Sequence, residues 1–201
     1  HICFERYADD IIVHCVSEKQ AHYLKDQISG RMQMFKLTLH PDKTRVVYTG
    51  KSNDHDKRGH DLPRKFTFLG YEFKPRMFRG RMTFTPGMGK GALMKIRQTI
   101  KEKWYLKQRL TESLSDIAKA VNPVILGWIN YYGHHRRSEL YKMASLIDGF
   151  LVRFLKQKIK SKNNPRLTWN KAWRKLNEYK KENPREFSHW HMISPSKRGA
   201  V

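Results

Sequence analysis

Two β-prone runs, Ile2-Cys3-Phe4-Glu5-Arg6 and Ile11-Ile12-Val13-His14-Cys15-Val16, flank Tyr7-Ala8-Asp9-Asp10 with room for no more than a tight turn. The stretch predicts a β-hairpin with two adjacent carboxylates at its tip. If the turn has two residues, Phe4, Arg6 and Ala8 share one face with Ile11, Val13 and Cys15, while Glu5 and Tyr7 share the other with Ile12 and His14. The mostly apolar face is expected to pack down and leave the tip in solvent. Adjacent carboxylates with no basic residue at the tip repel each other, so a cation that neutralises them gives the pair a purpose. Hard oxygen ligands suit Mg²⁺, and a two-metal phosphoryl-transfer site is built from such ligands. Aspartate also favours turns for backbone reasons alone, so the dipeptide by itself does not separate the two readings.

Charge limits the partners. Lys and Arg number 41 against 18 acids, for a net charge of +23 and a pI near 10.2. Residues 1–89 hold 16 basic and 10 acidic side chains, whereas residues 90–201 hold 25 and 8. Such a balance favours a polyanion, with nucleic acid as the default. A disordered basic tail is excluded by 12% aromatic and 39% hydrophobic residues, enough apolar material to bury a core. Runs such as Val124-Ile125-Leu126 fall far short of the roughly 20 apolar residues of a membrane span. Cys3 and Cys15 lie on opposite faces of the hairpin and read as small buried residues in a reduced compartment. The first residue is His1 and the chain opens almost inside a strand, so it reads as part of a longer protein.

After the hairpin, Ser17 caps a helix over about residues 17–34, with Gln20 as its capping-box partner. Ala21, Leu24, Ile28, Met32 and Phe35 recur at helical spacing, which predicts a helix lying against the sheet. Lys36–Leu39 and Thr44–Tyr48 read as a second hairpin-like pair, and residues 50–63 as a polar surface loop in which His55 and His60 match no metal-site spacing. Phe66–Phe73 reads as one strand with Gly70 inside it, paired with Arg81–Thr85. The expected class is therefore α+β: a partial antiparallel sheet with a packing helix, followed by an all-α basic region. Pro86–Gly91 is expected to be a flexible joint. Beyond it, helices are expected over Ala92–Arg109, Ser113–Val121, Asn122–Tyr132, Ser138–Lys160 and Thr168–Lys181, with an irregular tail from Asn183. The domain reading is 1–85, a linker and helix over 86–112, a helical region over 113–182 and a tail over 183–201.

Four stretches in order, FERYADDIIVHC, LHPDKT at 39–44, FLGYEF at 68–73 and NPVILGWINYYG at 122–133, together resemble group II intron-encoded reverse transcriptase/maturases. The resemblance implies that residues 1–85 are the end of a palm, followed by a thumb and the maturase domain X. It implies Asp9 and Asp10 as catalytic metal ligands for Mg²⁺, with Mn²⁺ as a substitute. It places Tyr7 and Ala8 on the floor under the primer end, Lys43 near phosphate, and Gly70 where the primer backbone approaches. The implied partners are intron RNA, an RNA template with a DNA primer, and dNTP; a homodimer is left open, and no membrane is expected. Bacterial cytoplasm or a eukaryotic organelle would house such a protein.

The residues of the helical part agree with that picture on their own. Basic helix faces interleaved with Trp and Tyr can bind phosphate by charge and stack unpaired bases. Arg136, Arg137, Lys156, Lys158 and Lys160 are the candidate RNA contacts, while Trp128 and Tyr131 are expected in the core. The family's third palm carboxylate has no substitute in residues 17–201, so this polypeptide is not expected to copy RNA by itself. The His189-x-His191 pair, without later cysteines, does not make an endonuclease. Two alternatives remain: a splicing-only RNA-binding maturase, and another reverse transcriptase lineage such as a retron, which the 122–133 stretch disfavours.

Overall fold

The computed structural model describes residues 2–50, 61–78, 80–160 and 168–193. His55, His60 and most of the expected 50–63 loop lie outside the described residues, as does the tail beyond Ile193. The chain divides into two units, His1–Pro86 and Gly87–Val201.

In the first unit, β1 (Phe4–Tyr7) and β2 (Asp10–Val13) form an isolated antiparallel hairpin. The pairs are Phe4↔Val13, Glu5↔Ile12, Arg6↔Ile11 and Tyr7↔Asp10. The turn is thus Ala8-Asp9, one residue earlier than an Asp9-Asp10 turn. Moving a two-residue turn by one position shifts each pairing by two, so the predicted faces are preserved. The expectation that one face packs down is not met: every residue of β1 is exposed, and Ile12 and Val13 are only half-buried. Cys3 is likewise exposed and Cys15 half-buried, both as free thiols.

Helix α1 (Glu18–Met34) starts at Ser17, whose hydroxyl accepts from Gln20 N at 3.2 Å, while Gln20 Oε1 accepts from Val16 N at 2.8 Å. The reciprocal cap therefore reaches one residue further back than the usual box. Ala21, Leu24, Ile28 and Met32 do form the half-buried stripe, but no residue of α1 is buried and Phe35 is exposed. Periodicity fixes which face is apolar and leaves open whether a neighbour covers it. Residues 36–48 form no strand; Thr44 N bonds His40 O at 2.9 Å and Tyr48 N bonds Pro63 O at 3.0 Å instead.

The expected 66–73 strand is two strands. β3 (Phe66–Phe68), β4 (Tyr71–Phe78) and β5 (Arg81–Met88) form a three-stranded sheet in that order. Leu69 and Gly70 turn between β3 and β4 with φ of 49° and 77°, and two positive φ values identify a type I′ turn. Gly70 meets that backbone requirement at no steric cost. Phe66 stacks on its cross-strand partner Phe73 at 4.8 Å, and Phe84 joins them at 5.9 Å. Buried Arg76 donates from Nη1 to Glu72 O at 3.0 Å and to Thr85 O, tying β4 to β5. Pro86, Gly87 and Met88 continue β5 where a flexible joint was expected.

The second unit is helical: α2 (Lys90–Lys103), α3 (Leu114–Gly133), a 3-10 turn at Arg137–Glu139, α4 (Leu140–Lys160), α5 (Trp169–Glu182) and α6 (Ser188–Met192). Ser113 begins α3 with a capping box closed by Asp116, and Thr168 caps α5. Pro123 lies inside α3, which runs through the break expected at Asn122-Pro123. Proline removes one helical hydrogen bond, but the flanking turns bury Ile117, Val121, Ile125 and Ile129, and that burial outweighs the local loss. α4 packs on α5, α3 on α6 and α2 on α4. Their shared core includes Ile100, Ile117, Ile125, Met143, Ile147, Leu151, Phe154 and Leu176.

The segment after Asn183 is ordered into this core, against expectation. Phe187, Trp190 and Ile193 are buried with it. Five residues are too few to nucleate a helix alone. Burial of these large side chains, about 1.5–3 kcal/mol each, and the hydrogen bonds that tie the segment to α3 and α4 hold it in place.

Candidate active site and nucleic-acid interface

Ala8 has φ of 52°, while Asp9 is not among the positive-φ residues, the sign pattern of a type II′ hairpin turn. Asp9 therefore occupies the turn, and Asp10 opens β2 opposite Tyr7. Both carboxylates are exposed, as are Tyr7 and Ala8. A basic residue does attend the tip: Arg6 Nε donates to Ala8 O at 3.0 Å and braces the turn from below. Lys43 is exposed in the turn after His40, and Gly70 sits in the β3–β4 turn; neither is on the hairpin.

Among the described residues, no three or more His, Cys, Asp or Glu side chains cluster to hold a metal. Asp9 and Asp10 nonetheless fit Mg²⁺ as a partial donor set. That ion keeps several waters and is commonly held by one or two carboxylates plus substrate phosphates. Exposed oxygen donors on a braced turn meet that description.

The candidate RNA contacts in the helical unit divide by what they touch. Lys156 is exposed at the end of α4. Lys158 is half-buried, donates to Thr111 O at 3.5 Å and to Glu112 O, and lies over the Phe154 ring. Arg137 is exposed and donates from Nη2 to Met192 O at 2.9 Å, while Arg136 is half-buried. Lys158 and Arg137 thus hold the fold together as well as adding charge. The Lys160 side chain lies outside the described residues. Trp128 stacks on Trp104 as a core residue, but Tyr131 is 47% exposed, contrary to expectation.

Two family models match the chain: reverse transcriptase (RNA-dependent DNA polymerase) over residues 1–73, and group II intron, maturase-specific domain over residues 93–178. The chain belongs to the group II intron reverse transcriptase/maturase family. Comparison with curated proteins gave no match. Membership includes the RNA-directed DNA polymerase family through the first match, which contains the Asp9-Asp10 hairpin and ends at Phe73. Within the described residues of this reverse transcriptase/maturase, no helix is long and apolar enough to cross a membrane.

The maturase-specific match stops before α6, yet a buried polar cluster joins α6 to α4 and α5. Asp148 Oδ1 accepts from His189 Nε2 and Trp190 Nε1, both at 2.8 Å, and its Oδ2 lies 3.4 Å from Lys180 Nζ. Burial pushes the Asp148 carboxyl up, but the His189 and Trp190 hydrogen bonds and the charge of Lys180 hold it below the usual carboxylate range. Burial likewise holds His189 below its usual range, against the pull of Asp148. Nδ1 of His189 is buried without a partner among the described residues, which agrees with a neutral ring protonated on Nε2. Asn122 adds a second clamp, donating to Glu186 O at 2.8 Å and accepting from Ser188 N at 2.9 Å. These contacts join residues 32 to 66 positions apart, beyond any local pattern.

Proposed function

We propose that the Asp9-Asp10 turn is the metal-binding part of a nucleotidyl-transfer site, and that the basic helical unit holds intron RNA for splicing. The observation that carries the first half is the hairpin tip: two exposed neighbouring carboxylates on a strained, braced turn inside the reverse transcriptase match. Asp9 and Asp10 would hold Mg²⁺, which when bound supplies charge stabilisation for displacement of pyrophosphate from a dNTP by a primer 3′-hydroxyl. Tyr7, beside Asp10 on one face, offers a flat apolar surface for the primer end. Lys43 offers a charge for phosphate. For Gly70, the type I′ turn is a sufficient reason for glycine, so a primer contact there would be an additional role. In these terms the first unit is palm and the helical unit is thumb and domain X.

In the intron-encoded protein carrying this sequence, Asp9→Ala should abolish primer extension and leave intron RNA binding near wild type. Extension by the variant would remove the metal role from Asp9.

A splicing-only reading is favoured by one contrast. The helical unit has a continuous buried core, whereas the hairpin and α1 bury no residue. Primer extension by the unmutated protein, with and without Mg²⁺, decides between the two.

A further inference from the structure

The outer face of α3 is unused by the readings above. From Ala120 to Gly133 the helix has no charged residue, in a region where basic side chains outnumber acidic ones 25 to 8. Val121, Ile125 and Ile129 face the core. Pro123, Val124, Leu126, Gly127, Asn130 and Tyr131 are exposed. Lys119 precedes this stretch, and Arg136 and Arg137 follow it.

At its C-terminal end a cavity of ≈ 210 Å³ is lined by Ile129, Asn130, Gly133, His134, Arg137 and Met192. One water occupies about 30 Å³ of liquid, so the space suits one aromatic heterocycle. The lining pairs apolar Ile129 and Met192 with an amide, an imidazole and a guanidinium, and Arg137 is fixed there by its bond to Met192 O. Such groups stack on a base and bond its edges. Gly127, on the same helical face as Asn130, Tyr131 and His134, would meet nothing within 4 Å among the described residues if it carried a Cβ. Packing therefore does not require this helix-interior glycine, although glycine weakens a helix relative to alanine.

We propose that the outer face of α3 receives unpaired RNA bases, one of them in the Asn130–His134–Arg137 cavity, with the flanking cations holding phosphate. The proposal rests on the RNA-holding reading and adds which part of the RNA meets this helix. Phosphate is a poor match for fourteen residues without a cation. A second copy is a poor match too, since pairing through this face would bring the like-charged flanks of two +23 chains together. A duplex keeps its bases stacked and out of reach.

The test uses the full chain and fluorescence anisotropy across a salt series. The probes are a short labelled RNA single strand and its blunt duplex. The double variant Asn130→Ala/His134→Ala, altered at two exposed positions, should weaken single-strand binding about fivefold or more, with the salt slope and duplex affinity unchanged. Gly127→Leu favours the helix and covers the face, so it should weaken single-strand binding without lowering Tm. Unchanged single-strand affinity overturns the proposal. So does an equal loss on the duplex with a shallower slope, which would indicate phosphate contacts. RNA binding that stays intact while sedimentation shows a changed oligomeric state would assign the face to a second copy. A wild-type chain that binds neither RNA overturns the RNA-holding reading along with this one.

Discussion

Replacing Asp148 by alanine removes the acceptor that three side chains share. Two of the three, His189 Nε2–H and Trp190 Nε1–H, are buried and lose a 2.8 Å partner. Each buried donor left unpaired costs about 1–3 kcal/mol, which sets a range of about 2–6 kcal/mol. Lys180 adds little, because its side chain is 35% exposed and 3.4 Å away. Against a domain stability of about 5–15 kcal/mol, the loss is severe and survivable.

All five tryptophans, Trp104, Trp128, Trp169, Trp173 and Trp190, belong to the helical unit, so their fluorescence in a urea titration reports that unit alone. The expected loss for Asp148→Ala is about 2–6 kcal/mol, one to three for each of the two donors. Asp148→Asn should lose roughly half as much, because its amide oxygen still accepts from a buried donor. A cost below about 1 kcal/mol for Asp148→Ala would refute the reasoning, since the two donors would then have other partners or access to water. Equal losses for alanine and asparagine would refute the hydrogen-bond account and leave charge as the cause.

Acid should weaken the same junction. A histidine held below its ordinary value of 6.5 binds fewer protons folded than unfolded, so stability present above that pH is lost as pH falls through the folded value. Asp148, held below 3.8, adds a second loss at lower pH with the same sign. Stability of the helical unit should therefore decline from pH 7 to pH 5, and His189→Gln should flatten the decline; a flat wild-type profile counts against a buried neutral His189. Asn122→Ala, which releases Glu186 O and Ser188 N, should cost about 1–3 kcal/mol in the same titration, and a wild-type midpoint would show that the clamp is replaceable. RNA affinity should fall with salt at a log–log slope of about −0.7 to −0.9 per phosphate contact, and a salt-independent affinity would remove the basic surface from the account.

What the amino-acid pattern reveals depends on the range of the forces. Ser17, Ser113 and Thr168 mark helix starts because each cap bonds a backbone N–H three residues on. The hairpin faces are equally local, since a two-residue turn preserves parity wherever it falls. Phe66–Phe73 misleads because a cross-strand aromatic pair and a two-residue turn reproduce the composition of one strand. Pro123 misleads for the opposite reason: the local signal is a break, and burial on both sides of it prevails. Asp9 and Asp10 stand out as neighbours in sequence, while Asp148, His189 and Trp190 do not, because only folding brings them together.

The same difference in range separates the two proposed activities. Asp9 and Asp10 are exposed and depend on their own turn, held by Arg6, so their replacement should leave the tryptophan-reported transition unmoved. Asp148 is buried in the other unit and depends on contacts from α5 and α6, so its loss should fall on that transition and on RNA affinity through it. If both variants lowered helical-unit stability alike, the hairpin could not be an independent carrier of chemistry. Loss of extension with an unchanged tryptophan transition, in Asp9→Ala alone, would place the chemistry at the turn and the holding of RNA among the helices.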